Sequence, residues 1–179
     1  MLYRFQIELS DIDRGVYETL DFRIVQHPSE TLIYMLTRLF AYILNYEPNL
    51  IFSAAGLSDP DSPAMQIADG NGAINLWIEI GNPSTKKLHK AMKSAKNVTV
   101  FTYKSAQVLV DDIKSNDVHR AAEIKIVAVD AKFLQQLETY VAKNNRWSIL
   151  HQHDQLDINT GASSLSSILR RITVKEFLL

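Results

Sequence analysis

The chain has 179 residues, of which 46% are apolar and 22% are charged, with a net charge of −1 and no cysteine. These values suit one globular domain over residues 1–179. They exclude wholesale disorder, disulfides, thiolate metal sites and a global attraction to polyanions. No apolar run approaches the roughly 20 residues needed to span a bilayer, so we predict a cytoplasmic protein with no membrane partner.

The first 25 residues predict a β-hairpin. Residues 3–9 alternate between apolar and polar side chains, which is the period of a strand with one buried face. Asp11, Asp13 and Gly15 mark a turn, and residues 16–25 are rich in β-forming side chains. The two strands are therefore expected to pair.

The next 55 residues predict one helix and three strands. Ser29 is the expected N-cap of a helix that runs to about residue 46, with Glu30 at its positive end and an apolar face. Strands are expected at 50–52, 64–68 and 73–80, with a loop over 56–63 and a hairpin turn over 69–72. The apolar run of the last strand predicts a central position that is covered on both faces.

Beyond residue 80, strands alternate with helices, which predicts parallel strand pairs. Asn82 and Pro83 are expected to start a helix over 83–95, and a second and third helix are expected at 105–114 and 131–143. Strands are expected at 98–103, 124–129, 147–151, 156–159 and 167–174. The expected fold is α/β (α+β), with a mixed central β-sheet flanked by helices, an N-terminal β-hairpin and C-terminal strands.

The span 59–90 holds the sharpest candidate for a catalytic or metal site. Two loop aspartates, one of them Asp61, precede a buried strand that bears Glu79 near its end, and Lys86, Lys87 and Lys90 lie on the next helix. Mg²⁺ prefers carboxylate oxygens, and a nearby lysine can stabilise charge on a scissile phosphate. The same residues also allow a plainer interpretation, in which Glu79 pairs with a helix lysine and the aspartates form turns.

Several blocks of the sequence resemble the YaeQ family. They are His-Pro-Ser-Glu at 27–30, Leu-Trp-Ile-Glu-Ile-Gly-Asn-Pro at 76–83, Lys-Lys at 86–87, Lys-Ala at 90–91 and Val-Phe-Thr-Tyr at 100–103. Their order and spacing agree over nearly the whole chain. YaeQ proteins form a bacterial group of unsettled function, with a fold described as a variant of the PD-(D/E)XK restriction-endonuclease-like core. The resemblance implies a single YaeQ-like domain with a divalent-metal site for Mg²⁺ or Mn²⁺.

The resemblance also implies a degenerate site. In the nuclease superfamily a Pro-Asp starts one strand, the next strand bears an acid, and a lysine follows two residues later. Here the positions correspond to Pro63 followed by Ala64, to Glu79 and to Gly81, so Glu79 is the survivor. YaeQ relatives often carry another acid four residues before the glutamate, where this chain has Asn75.

Other residues can replace the missing ones. Asp61 can supply a loop ligand beside Glu79, Glu30 matches a helix acid that many nucleases of this fold use, and Lys86 or Lys87 can replace the lysine. The first hypothesis is therefore a metal-dependent phosphodiesterase or nuclease. The alternative is a non-catalytic member of the fold that binds nucleic acid or a protein partner.

A local basic patch is the expected nucleic-acid surface. Lys86, Lys87 and Lys90 lie on one short helix, and Arg38 is a further phosphate-binding candidate. The plainer alternatives are a solvated outer helix face and a salt bridge between Arg38 and Glu30.

The remaining polar motifs predict little chemistry. His151 and His153, with Asp154 beside them, suggest the beginning of a zinc site without a third partner, or an exposed edge strand. The sequence has no P-loop and no Gly-x-Gly-x-x-Gly motif, so no nucleotide or organic cofactor is implied.

Overall fold

The computed structural model describes residues 1–53 and 59–177. These residues divide into two compact units, residues 1–39 with 129–170, and the described part of residues 40–128 with 171–177. The predicted mixed α/β fold is confirmed, and its strands form two mixed sheets with four flanking helices. Part of the predicted loop over 56–63, residues 56–58, lies outside the described residues. The single domain over 1–179 stays a prediction.

The first unit is built on a five-stranded sheet with the order β10-β9-β8-β1-β2. Its strands are β1 (Leu2–Asp11), β2 (Val16–Val25), β8 (Asn144–Gln152), β9 (Gln155–Asn159) and β10 (Ser164–Ile168). The predicted hairpin of β1 and β2 is confirmed, and β1 pairs with β8 in parallel. Inward residues alternate along β1 and β8, as the period of a strand with one buried face requires.

The second unit is built on a six-stranded sheet with the order β11-β7-β6-β5-β4-β3. Its strands are β3 (Leu50–Phe52), β4 (Met65–Ala68), β5 (Ile74–Ile80), β6 (Ala95–Thr102), β7 (Lys125–Ala128) and β11 (Arg170–Thr173). Strands β5, β6 and β7 are parallel, which confirms the pairing predicted from the alternation of strand and helix. The predicted hairpin between β4 and β5 is confirmed as well.

Four helices accompany the sheets. They are α1 (Leu32–Leu44), α2 (Thr85–Ser94), α3 (Ala106–Ser115) and α4 (Ala131–Glu138). One core of the second unit joins α2 and α3 to the sheet, with buried residues that include Leu88, Met92, Leu109, Trp77 and Val100. None of the helices in the described part of the chain combines the length and apolar character that a membrane crossing requires.

Two predicted helix starts are wrong. The Ser29 hydroxyl contacts His27 Nδ1 at 2.6 Å, and the Tyr34 N–H instead donates to Thr31 Oγ1 at 3.1 Å, just before α1 begins. Helix α2 begins at Thr85 rather than at residue 83, since the Ser84 hydroxyl accepts the Lys87 N–H at 3.2 Å. In both cases a hydroxyl nearer to the helix satisfies its free N–H groups.

Asn82 has another role. Its Oδ1 accepts from Thr102 Oγ1 at 2.7 Å, and its Nδ2 donates to the Ser105 carbonyl at 3.0 Å. It therefore joins the end of β5 to the end of β6, where α3 begins.

Two predictions for the C-terminal third also need correction. The expected strand over 167–174 consists of two strands in different sheets, with Leu169 between them bonded through its N–H to the Asp154 carbonyl at 2.8 Å. The strand of His151 does not lie at an edge, because β8 is the middle strand of its sheet. His151 is buried, while His153 lies outside β8 in a tight turn with a φ of +51°.

Candidate functional site

Glu79 lies near the end of β5 and its side chain is 3% exposed. Trp77, two residues earlier, shares its face of the strand and donates from Nε1 to Glu79 Oε1 at 2.6 Å. Lys87 of α2 places its Nζ 3.0 Å from the other oxygen, Oε2. Both oxygens of the carboxylate are therefore bonded to protein groups.

Burial dominates the electrostatics of this carboxylate. Loss of water raises the pKa of Glu79, and the charge of Lys87 and the hydrogen bonds from Trp77 and Lys87 lower it by less. The buried charge is thus held in place by one cation and one indole N–H. We call Trp77, Glu79 and Lys87 the closed cluster.

The two loop aspartates stand beside the same helix. Asp61 Oδ1 lies 3.2 Å from Lys90 Nζ, in a pair whose side chains are 71% and 46% exposed. Asp59 accepts the Asp61 N–H at 2.8 Å and the Ser62 hydroxyl, and the hydroxyl is the main reason for its lowered pKa, with Lys90 and Lys87 adding smaller effects. Asp59 thus closes a turn, the role that the plainer interpretation gave to the loop acids, and Asp61 pairs with Lys90.

Ala64 and Gly81, where the nuclease pattern suggested by the resemblance would place catalytic residues, lie beside β5. The Ala64 N–H donates to the Ile78 carbonyl at 3.0 Å, so Ala64 adjoins the strand immediately before Glu79. Gly81 has a φ of +79°, and its N–H donates to the Phe101 carbonyl at 2.8 Å. A lysine at Gly81 would be strained in this left-handed conformation. Lys87 reaches Glu79 from α2 instead.

Glu30 and Arg38 belong to the first unit, whereas Asp61 and Glu79 belong to the second. Glu30 Oε2 accepts from Arg38 Nη2 at 3.0 Å and from the His27 N–H at 3.0 Å, and Arg38 also donates to the Val25 carbonyl at 2.7 Å. Burial raises the pKa of Glu30 and lowers the pKa of Arg38. The salt-bridge alternative describes this pair, and an inward guanidinium of this kind does not present itself to a nucleic acid.

The outer face of α2 carries the predicted lysine patch. Lys86, Lys90 and Lys93 are exposed, while Leu88 and Met92 on the opposite side are buried in the core. Lys87 differs from these lysines because it turns toward Glu79. We call Lys86, Lys90 and Lys93 the lysine face.

A model of the YaeQ family, described as YaeQ protein, matches residues 1–168. The chain belongs to the YaeQ family. It is 34% identical over 104 residues to the uncharacterized YaeQ protein of Salmonella typhi and 33% identical over 104 residues to that of Escherichia coli (strain K12). Each match covers 58% of this chain and 57% of the relative. The chain therefore matches little more than half of the length of these YaeQ proteins.

Two crystal structures of YaeQ proteins show the same fold. The YaeQ protein from Xanthomonas axonopodis pv. citri has a TM-score of 0.88 at 24% identity, with 96% of this chain and 97% of that chain covered. The YaeQ protein from Pseudomonas syringae has a TM-score of 0.86 at 28% identity, with 96% and 95% covered. Both YaeQ structures therefore support the fold of this chain.

A second polar cluster lies in the first unit, where His151 and Asp154 were named from the sequence as the beginning of a zinc site but Asp13 was missed as their partner. Within residues 1–53 and 59–177, one group of three acidic or histidine side chains has ligand atoms within 4.8 Å of one another, namely Asp13, His151 and Asp154. The signal was present as Asp-x-Asp at 11–13 and His-x-x-Asp at 151–154. The two motifs lie about 140 residues apart, and neither indicates by itself that they meet.

Proposed function

We propose that this chain is a nuclease-like scaffold that binds the phosphate backbone of a nucleic acid without cleaving it. The observation that carries this proposal is the closed cluster. A divalent ion usually needs a second acid beside Glu79, and Trp77 and Lys87 each bond one oxygen of this buried carboxylate. A metal would have to compete with the ammonium of Lys87.

The neighbours of the closed cluster support the same conclusion. Ala64 brings no ligand to the strand beside Glu79, and Asp61 is engaged with Lys90. Gly81 could not carry the missing lysine without backbone strain. Of the residues predicted to act with Glu79 from this loop and helix, Asp61 is therefore paired with Lys90, and Lys87 is paired with Glu79 itself.

The lysine face supplies the binding surface. Its three side chains recur at i, i+4 and i+7 of α2, so the ammonium groups follow one line on the exposed side of the helix. The ion pair between Lys90 and Asp61 is largely exposed, and pairs of this kind contribute roughly 0–1 kcal/mol. A phosphate can replace Asp61 at little cost.

Fluorescence anisotropy with labelled DNA and RNA at several salt concentrations tests the proposal. Replacement of Lys86, Lys90 and Lys93 by glutamine should weaken binding and reduce the slope of log K against log salt by about 2–3. The matched control replaces three other exposed lysines, Lys114, Lys132 and Lys143, and changes the net charge equally. Equal losses in both variants, or no binding at low salt, would refute a specific lysine face.

The second candidate function is a phosphodiesterase that depends on Mg²⁺ or Mn²⁺. It is favoured by the 3.0 Å separation of Lys87 Nζ and Glu79, which puts a cation beside the surviving acid of the nuclease pattern. Nucleic acids incubated with the purified protein and either ion should remain intact under our main proposal. Cleavage that is lost in Glu79→Gln would establish the second candidate and exclude the first.

A further inference from the structure

Asp11 and His151 are the last inward-facing residues of two neighbouring strands in the first unit, β1 and β8. The parallel register of β1 and β8 pairs Asp11 with His151, and their exposures are 0% and 1%. Tyr3, Phe5, Ile7 and Leu9 fill the buried positions before Asp11. A carboxyl group and an imidazole thus occupy positions where the pattern otherwise places apolar side chains.

Asp11 determines which ring nitrogen of His151 carries hydrogen. His151 Nδ1 lies 2.9 Å from Asp11 Oδ1. An ionised carboxylate only accepts hydrogen bonds, so Nδ1 must donate, and a neutral ring then presents the lone pair of Nε2 on its other side.

His151 Nε2 is directed at two more carboxylates. It lies 3.8 Å from Asp13 Oδ2 and 3.9 Å from Asp154 Oδ1, both beyond hydrogen-bond distance. Among the described residues, this buried nitrogen has no hydrogen-bond partner. A buried polar atom without a partner costs stability, so a group that binds Nε2 would be favoured at this point.

These separations suit one metal ion. Ligands at about 2.0–2.2 Å from a tetrahedral zinc ion lie about 3.3–3.6 Å from one another, a few tenths of an ångström less than the distances here. Asp13 and Asp154 stand on turns and their side chains are 32% and 37% exposed, which leaves a route for the ion and a position for water. Imidazole nitrogen combined with carboxylate oxygen favours Zn²⁺ over Mg²⁺.

We propose that Asp13, His151 and Asp154 bind a divalent transition-metal ion of the zinc class, with Asp11 orienting the imidazole. A carboxylate that holds the far nitrogen of a ligating histidine is a common outer partner in zinc sites. The site is independent of the closed cluster, and it would join the turn after β1 to the turn after β8.

The turn after β8 brings Asp154 into the group of three ligands and leaves its neighbour His153 outside that group. Asp13 accepts the N–H groups of His153 and Asp154 at 3.0 and 3.4 Å, which fixes this turn beside His151. The His153 side chain is exposed and does not belong to the group of three, which makes it a useful control.

Calorimetry of the metal-free full chain with Zn²⁺, and visible absorption with Co²⁺ as the probe, test the site. We expect one ion per chain, a Co²⁺ spectrum typical of four ligands, and a higher melting temperature with Zn²⁺. Asp13→Asn and Asp154→Asn should each weaken binding at least tenfold, and Asp11→Asn by about 10–100-fold. Circular dichroism confirms that each variant folds.

The controls separate a built site from surface adsorption. His153→Ala and Asp157→Asn should bind Zn²⁺ as the parent chain does, because neither side chain belongs to the group. A folded parent chain that binds no stoichiometric Zn²⁺ or Co²⁺ overturns the proposal. Loss of binding in His153→Ala, together with its retention in Asp154→Asn, overturns it equally.

Discussion

Each of the two units buries a carboxylate near the end of a strand, but the groups that hydrogen-bond to that carboxylate differ. In the closed cluster, Glu79 is bonded by an indole N–H and an ammonium, so both oxygens are used. Beside Asp11, His151 uses one ring nitrogen and directs the other at two further carboxylates. Glu79 thus has a protein partner at each oxygen, whereas His151 Nε2 has no hydrogen-bond partner among the described residues.

The largest expected effect comes from opening the closed cluster. Lys87→Met leaves the Glu79 carboxylate buried without its cation, which should destabilise the protein by about 2–4 kcal/mol at pH 7, near the low end for buried pairs because Lys87 is partly exposed. Urea unfolding measures this change. The penalty should shrink at pH 4.5, where protonation discharges Glu79.

Lys86→Met is the matched control for that experiment. Lys86 is exposed on the same helix, so its replacement should change the free energy of unfolding by no more than about 0.5 kcal/mol. Equal losses in the two variants would mean that Lys87 acts through the helix rather than through Glu79.

A smaller effect is expected at Asp11. Asp11→Ala leaves His151 Nδ1 without its acceptor and should cost about 1–3 kcal/mol in urea unfolding without metal. Asp157→Ala, at a half-buried strand position, should cost less. A loss at Asp11 no larger than that at Asp157 would contradict a positioning role for the buried carboxylate.

The pH dependence of stability provides a third, smaller effect. Burial raises the pKa of Glu79 above its ordinary value of 4.5, so the folded protein binds a proton more strongly than the unfolded chain does. Stability due to Glu79 is therefore highest at low pH, and it falls as the pH rises from 4.5 to the raised pKa.

Glu79→Gln lacks this titration but keeps an acceptor for Trp77 Nε1. The difference in unfolding free energy, parent minus variant, should therefore fall with rising pH over that window and then level off. The raised pKa of Glu30 affects both proteins and cancels. A difference that grows with pH would show that the attraction of Lys87 outweighs burial.

The smallest expected effect is a gain of weak metal binding in the closed cluster. Ala64→Asp adds a carboxylate beside the strand of Glu79, and two acids are a better site for Mn²⁺ than one. Calorimetry in an Asp154→Asn background should detect weak Mn²⁺ binding that the background alone lacks. Identical titrations with and without Ala64→Asp would indicate that Lys87, rather than the missing acid, prevents metal binding at Glu79.

Much of the fold followed from local patterns. Alternation identified β1, the apolar run identified β5, and the Asp-Gly-Asn-Gly turn before β5 identified its hairpin with β4. The ends of helices were less predictable, because Ser84 and Thr31 compete with other polar residues nearby for the same free N–H groups. The members of the candidate site, Glu79 and the α2 lysines, were predictable, but which of these lysines pairs with Glu79 was not.

The sequence by itself determined the strands, the helices, the family and a buried glutamate before a lysine-rich helix, because periodicity and turn chemistry act over a few residues. Only the tertiary structure decided that Lys87, and not Lys86, reaches Glu79, and that Asp11 meets His151 across 140 residues. The register of distant strands depends on packing the whole core, which no local pattern encodes.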